Sequence, residues 1–518
     1  MKDTKYDVII IGAGIGGLHA GICLQGNNPN INSLILEKND YPGGYVSGFS
    51  NNGFYFDSAA ESIMEYNVSP ERRALHKLGF SHPLHKVDPI ESYYNDNKIV
   101  NMFTDEEKFF EEVRKYHPDQ IDGLKGLFET CDKIKGEIIA CDLYENELSI
   151  SKILKVIFKY PTLRKYAIKN FEQLLREYIS EEVMDFFSIF NLWFGLEFKD
   201  ITAPIGAVLI SSSFREGIYY PEGGMDAFAR SLVKFYQSKG GTLQYNQKVK
   251  RILVKRRKAY GVELEDGTIL EARYIISNGD LHKTVQEYVG SKHLSRRYLR
   301  TIKNIRKSIT GFMLYLGVEN LDLSPYPPHF IIGDSTKILQ EVRNDKISLD
   351  NIGIRIGSNV DPGIKKGSKD SVQIIGFADY NWKNNWENYD NEKRTKEYRT
   401  LKKEIIELLI KRTESVIPNL SQHVKLKRLA TPLTFERFNL SSDGAFYGPE
   451  YNQKLPSFKT PIKNLYFAGS NVGGSGVSSA MKSGLKTGKF LLKKIERDFK
   501  RGKYELVAFS KNSATHEL

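Results

Sequence analysis

Short apolar runs and long helical-period stretches alternate in blocks along this chain. Residues 6–11 are rich in β-branched positions, as a strand buried on both faces requires. Gly12-Ala-Gly-Ile-Gly-Gly17 follows, opening a segment with Leu18, Gly21, Ile22 and Leu24 at helical spacing. A second run at 33–36 ends in Glu37. Strand, glycine turn, helix, strand and terminal acid within about 30 residues predict a βαβ unit with a right-handed crossover.

From about 69 to 198 the texture changes to charged, 3.6-periodic stretches such as 106–116 and 124–139, which predict a helical insertion. The βα pattern returns at 219–279. Tyr220-Pro-Glu-Gly-Gly224 precedes an amphipathic helix through Tyr236, then come a strand at 249–254 and a hairpin at 260–272 with Asp266-Gly267 at its tip. Residues 286–440 are mixed, with strand-like runs at 312–318 and 372–377 and a helix around 400–414. A short buried strand at 463–469 leads into a glycine-rich turn and a final helix to about 495. The ligand-binding type of segment thus stands at the start, middle and end. The expected fold is α/β: a Rossmann-type domain from 1–70, 206–285 and 441–500, interleaved with an α+β substrate domain from 71–205 (its helical part) and 286–440. A polar tail is expected at 501–518.

Composition narrows the chemistry. At 518 residues and 40% hydrophobic content, the chain has ample core. Three cysteines, at 23, 131 and 141, have no C-x-x-C spacing, which excludes a disulfide framework, an iron–sulfur run and a structural zinc site and points to a reducing compartment. The histidines show no metal spacing, so no metal is expected. A net charge of +12 calls for an anionic partner: nucleic acid, a membrane surface or a phosphorylated ligand. No nucleic-acid recognition motif is present. The first apolar run has no basic leader and no run is long enough to span a bilayer, so a cytoplasmic protein is expected.

The glycine pattern carries the most specific chemistry. Gly12 permits the tight turn, Gly14 lets backbone approach a pyrophosphate, and Gly17 lets helix and strand pack closely. The helix N-terminus offers free N–H groups and a partial positive charge. Glu37, about 20 residues beyond the third glycine, suits a ribose 2′-hydroxyl and disfavours a 2′-phosphate.

The following residues favour FAD over NAD. Glu37-Lys-Asn-Asp-Tyr-Pro-Gly-Gly44, then Gly53-Phe-Tyr-Phe-Asp57, resembles the start of the phytoene desaturase branch of the flavin amine-oxidase-like superfamily. Tyr220-Pro-Glu-Gly-Gly224, Val249-Lys-Arg-Ile252, Gly261-Val262, Asp266-Gly267 and Ser277-Asn278 continue the family order, as do Thr431-Pro432, Gly444, Tyr447-Gly448, Leu465-Tyr-Phe-Ala-Gly469 and Gly473-Gly-Ser-Gly-Val477. The resemblance covers nearly the whole chain except the helical stretch 70–200. It implies an FAD-dependent oxidoreductase acting on C–C double bonds of a long isoprenoid or carotenoid at a membrane surface. Carotenoid isomerases and retinol saturases share the motifs, and the superfamily also contains flavin-free prenyl-lipid carriers.

The same resemblance implies cofactor roles residue by residue. Gly12, Gly14, Ile15, Gly16 and Gly17 cradle the pyrophosphate, Glu37 holds the ribose with Lys38 beside it, and Gly43, Gly44 and Tyr45 pass close to the cofactor. Val249 meets the adenine, and Gly469, Ser470, Gly476 and Val477 bring a helix N-terminus to the flavin ring. Two positions depart from the family. Tyr45 stands where many relatives place arginine, which argues against a charge-assisted contact to phosphate. Ser470 replaces a frequent aspartate, so a hydroxyl or an amide meets the ribityl-phosphate region.

No catalytic side chain is assigned from the sequence. Glu61 and Glu65 are read two ways, as groups acting on a proton near the cofactor or as a solvated helix face. At 150–170, Lys152, Lys155, Lys159, Arg164, Lys165 and Lys169 interleave with apolar residues and no acid, and Pro161 divides the stretch into two helices. It suits the headgroup plane of an anionic membrane, and equally the lysine-rich outer face of a helical bundle.

Overall fold

The computed structural model describes residues 5–500 apart from 65, 67–68, 96–97, 142, 144–149, 335–338, 340, 343–346 and 389–393. Glu65 and the tail at 501–518 lie outside the described residues.

A first sheet gathers strands from the start, middle and end of the chain. Five run parallel in the order Thr242–Gln244, Ser33–Leu36, Lys5–Ile11, Ile269–Ser277, Leu465–Phe467. The hairpin Val249–Lys255 and Lys258–Leu264 adds antiparallel to the first half of Ile269–Ser277. Val8, Ile9 and Ile10 are fully buried because both faces are covered. Helix Ile15–Asn27 lies on one face, between the helices Gly224–Ser238 and Val477–Lys500. Small residues set that spacing: a Cβ on Gly484 would lie 2.0 Å from the Gly16 carbonyl oxygen.

The second sheet is mixed. Its order is Val424–Ala430, Gly311–Glu319, Lys369–Phe377, Ile352–Arg355, His329–Ile332, Glu91–Asn95, Lys98–Met102, with a parallel pairing at 330–332 against 92–94. Strand alternation gives it two different faces. Phe312, Leu314, Leu316, Ile354 and Ile374 face a core shared with Ile405 and Leu409 of helix Lys396–Thr413. Met313, His329, Ile331, Gly353, Arg355 and Ile375, the intervening positions, face a cavity.

The helical part expected over 71–205 needs correction at both ends. Leu84–Val87 pairs with Ile218–Pro221, and Glu91–Asn95 and Lys98–Met102 form the edge of the second sheet, so helices dominate only from Glu106 onward. Tyr93, Val100 and Met102 are buried, but the short polar-rich strands give a weak period-2 signal beside the long helices that follow. At the other end, position 206 falls inside helix Ala203–Arg215, which packs on Ile121–Ala140. Phe214 meets Phe109 and Phe128 with ring centroids 5.1 and 4.7 Å apart. Among the described residues, no helix is long and apolar enough to cross a membrane.

Candidate active site

The turn after the first strand is closed by glycines that have no room for a side chain. Gly12 takes φ +92°, and a Cβ on Gly17 would sit 2.2 Å from the Gly12 carbonyl oxygen. A Cβ on Gly16 would meet the Gly469 Cα at 2.6 Å, so the first and last glycine turns touch. Asn278 wedges between them, its side-chain amide 2.4 to 2.7 Å from where Cβ atoms on Gly14, Gly16 and Gly469 would stand. All three turns meet at the C-terminal edge of the parallel strands, where open α/β sheets bind their ligands.

Of the fifteen positions singled out in the sequence as cofactor contacts, fourteen line one cavity of about 1650 Å³. Gly17 stands behind its wall against Gly12. Glu37 is buried, its carboxylate accepting the Ala13 and Asn39 backbone N–H groups at 2.8 and 3.0 Å. Burial pushes this carboxyl above the usual range against the pull of those bonds. Lys38 donates to Asn39 Oδ1 at 2.9 Å, and burial lowers its pKa. Tyr45 spends its hydroxyl on the Ser441 hydroxyl and the Ala445 carbonyl, at 2.9 and 2.8 Å, tying the Gly43-Gly44 turn to the 441–445 loop.

The final turn sits beside the segment after Asp57. Helix Val477–Lys500 begins at the cavity, and Ser478 donates to the Met64 carbonyl oxygen at 2.7 Å. Ala60 N–H bonds to the Tyr45 carbonyl at 3.0 Å. Residues 58–64 therefore pass between the glycine turns and the second sheet, and Glu61 reaches Arg355 there at 2.7 Å. Arg355, Glu91 and His329 give no local signal in the sequence and become visible only when the sheets are assembled.

The remaining wall is apolar. Ile138, Ile153, Val156, Leu192 and Trp193 from the helical part line it. Ile139, Ile153, Ile157 and Ile168 both line the cavity and are exposed at its rim, Ile168 to 95%. Roughly 300–1,000 Å³ accommodates one drug-sized ligand, so this cavity has room for a dinucleotide and a second, apolar molecule. The glycine cradle and the buried acid fit FAD.

The basic stretch forms helices Ile150–Lys159 and Pro161–Tyr166, broken at Pro161. The stretch itself contains no acid, but Glu177, from beyond it, pairs with Lys165 at 2.8 Å and with Lys169. Lys155 and Lys159 remain exposed beside Leu154, Ile157 and Phe158. No cluster that could hold a metal ion exists among the described residues.

Comparison with known proteins agrees with this geometry. A prolycopene isomerase of an Oncidium hybrid cultivar is 26% identical over 504 residues, covering 93% of this chain and 83% of that protein. An all-trans-retinol 13,14-reductase of Danio rerio is 22% identical, covering 94% and 86%. Among solved structures, an oxidoreductase from Methanosarcina mazei superposes with a TM-score of 0.62 at 16% identity, covering 93% of this chain and 99% of that one. The family model of flavin-containing amine oxidoreductases matches residues 15–488, a span that takes in the second sheet, the helical part and every strand of the first sheet except Lys5–Ile11. The chain as a whole therefore belongs to the flavin-containing amine oxidoreductase family, and its cofactor is FAD.

Proposed function

We propose that this enzyme remodels C–C double bonds of a long isoprenoid, as phytoene desaturases do, at a membrane surface. The observation that carries the reading is the continuity of one cavity from the glycine turns to an exposed apolar rim. A hydrophilic substrate needs convergent polar groups along such a wall; an extended hydrocarbon needs only its shape. FAD, when bound, supplies two-electron hydride chemistry.

In this reading the N–H groups at the start of helix Ile15–Asn27 and the turn Gly12 to Gly16 hold the pyrophosphate. Glu37 takes the ribose, with Val249 at the adenine. The turn from Gly469 to Val477 holds the ring end, where the dipole of helix Val477–Lys500 favours negative charge on the reduced flavin. The first sheet with its helices forms the FAD domain. The second sheet with the helical part forms the substrate domain, whose basic helices rest on anionic headgroups.

The test is turnover. Flavin-loaded protein is incubated in liposomes with phytoene, prolycopene and all-trans-retinol, under oxidising and then reducing conditions, and the polyene spectrum is read. A lengthened chromophore from phytoene under oxidising conditions is expected. Redox-neutral change of prolycopene instead assigns an isomerase, and loss of conjugation in reduced samples with retinol a saturase-type reductase; the Oncidium and Danio rerio relatives bear isomerase and reductase names. Protein without flavin bands that takes up no FAD but binds prenyl lipid overturns the reading in favour of a carrier.

A further inference from the structure

Glu61 lies where the two halves of the cavity meet. Its Oε2 accepts from Arg355 Nε at 2.7 Å, and the same guanidinium donates through a terminal nitrogen to Glu91 Oε1 at 2.9 Å. The side chains of Glu61, Arg355 and Glu91 are 13%, 10% and 3% exposed. Two carboxyl groups thus share one cation out of water, and the second oxygen of each has no hydrogen-bond partner in the structure. Arg355 carries its charge permanently, so the cluster is neutral only with one proton held between Glu61 and Glu91. Glu61 and Arg355 line the cavity; Glu91 does not.

The other titratable groups around Glu61 are committed elsewhere. Asp57 accepts from Tyr55, Tyr220 and the Met225 N–H. Tyr315 donates to the Ser58 carbonyl and Tyr447 to the Leu192 carbonyl. His329, opposite Arg355 in the sheet, is kept neutral by burial and by that arginine. Burial also pushes both Glu61 and Glu91 up to about 7, opposed by Arg355.

We propose that Glu61 is the proton-transferring residue of this enzyme, with Arg355 and Glu91 as the positioning residues that keep one exchangeable proton at its cavity-facing carboxyl. The proposal rests on the polyene reading above. Making a double bond from a CH–CH pair removes a hydride, which FAD held by the glycine turns would accept, and a proton from the adjacent carbon. With the shared proton resting on Glu91, Glu61 as carboxylate takes the proton of that carbon: the O–H bond forms as the C–H bond breaks, and the C–H electron pair becomes the π bond. In the saturating direction Glu61 would give the proton to one carbon, the hydride for the other being the chemistry that FAD held by the glycine turns would supply. In isomerisation Glu61 protonates a polyene carbon, the cation rotates about its lowered-order bond, and the same proton returns to Glu61 with no net redox. The apolar wall suits all three, because it offers few protein groups that compete for the proton.

The experiment uses flavin-loaded wild type, E61Q, E61D, E91Q and R355K in phospholipid vesicles with the three polyenes above, together with an infrared pH titration of the same proteins. With unchanged FAD content, E61Q is expected to lose at least about 100-fold in turnover, and E61D to recover part of it. E91Q is expected to lower turnover less than E61Q does and to move the midpoint of the pH–rate profile down by about one unit, a change that a merely structural role would not produce. The infrared titration is expected to show a carboxylic acid C=O band lost near neutral pH in wild type and missing in E61Q. Turnover of E61Q within threefold of wild type overturns the proposal while leaving the polyene reading intact. Wild type that turns over none of the polyenes overturns that reading instead; the infrared band then decides for Glu61 by itself, and its absence from wild type, or its persistence in E61Q, refutes the shared proton.

Discussion

Asp57 accepts the Tyr220 hydroxyl at 2.6 Å, a buried bond between residues 163 positions apart. Asp57 closes one sequence motif and Tyr220 opens another, and their contact explains why both exist. The other Asp57 oxygen accepts the Tyr55 hydroxyl at 2.8 Å and the Met225 N–H at 2.9 Å, in the first turn of helix Gly224–Ser238. Gly223 supplies no capping side chain to that helix, so the aspartate does so from across the fold. Gln373 brackets the Asp57 backbone from the second sheet, at 3.1 and 3.0 Å. One carboxylate thereby fixes a hairpin, a helix end and a sheet together.

Removing either partner should cost stability unequally. D57N keeps the volume but weakens three bonds and turns an amide toward donors, at about 2–3 kcal/mol; Y220F loses one bond, at about 1–1.5 kcal/mol. Because the two share the Tyr220 bond, the double variant should lose less than the sum. Urea unfolding of the four proteins measures this coupling, and strict additivity would show that the bond contributes nothing.

The contact between the two glycine turns makes a second, contrasting prediction. G16A places a methyl carbon 2.6 Å from the Gly469 Cα, backbone that cannot rotate away, so the turns must part. FAD retention through gel filtration should fall sharply in G16A. At Gly136, inside helix Ile121–Ala140, nothing lies within 4 Å of a new Cβ, and alanine there should stabilise the protein by up to about 1 kcal/mol with full flavin content. Equal flavin content in the two variants would count against a cofactor role for the turn.

What the sequence discloses follows from how local each cause is. The turn at Gly12 to Gly17 is readable because a positive φ and a missing Cβ are written in single residues, and the break at Pro161 because proline stops the preceding helix by its own ring. The strands at 91–102 are obscured by their polar content, since their burial depends on a parallel partner at 330–332. The Glu61–Arg355 pair spans 294 positions, and no spacing rule reaches that far. Glu177 escapes for a smaller reason: it lies just past the basic stretch, and only the fold of helix Phe171–Leu175 and the turn after it brings it back onto Lys165 and Lys169.

Acid should unfold the protein through histidines buried without charge. His19 is fully packed in helix Ile15–Asn27, its Nδ1 2.8 Å from the Ile15 carbonyl oxygen, and burial lowers its pKa to about 4. An unfolded histidine titrates near 6.5. The folded value is depressed, so the contribution of His19 to stability is complete above pH 6.5 and is lost as the pH falls through about 4. The full difference is at most about 3.5 kcal/mol, from roughly 1.4 kcal/mol per unit. H19Q keeps a donor for the Ile15 carbonyl and cannot protonate, so its denaturation midpoint should fall less steeply between pH 6.5 and 4. A slope identical to wild type would mean that other groups carry the acid sensitivity.

The rim of the cavity gives the last prediction. Among the described residues, six of the twelve large hydrophobic side chains that are exposed belong to the stretch from Ile139 to Ile168. Such a concentration marks an interaction site. Lys155 and Lys159 stand among them, whereas Lys165 and Lys169 share Glu177, which offsets one of their two charges, so the larger part of the attraction to an anionic surface falls to the first pair. K155E/K159E should weaken binding to phosphatidylserine vesicles by at least about 30-fold, from about 1 kcal/mol for each cation removed, and flatten its salt dependence. F158S should weaken binding to anionic and neutral vesicles alike, because burying a phenylalanine contributes about 1.5–3 kcal/mol irrespective of headgroup charge. K165E should disturb the Glu177 contacts but leave vesicle affinity nearly unchanged. If K165E lost as much affinity as K155E/K159E, general basicity would be the cause, and the rim would have no special part in docking.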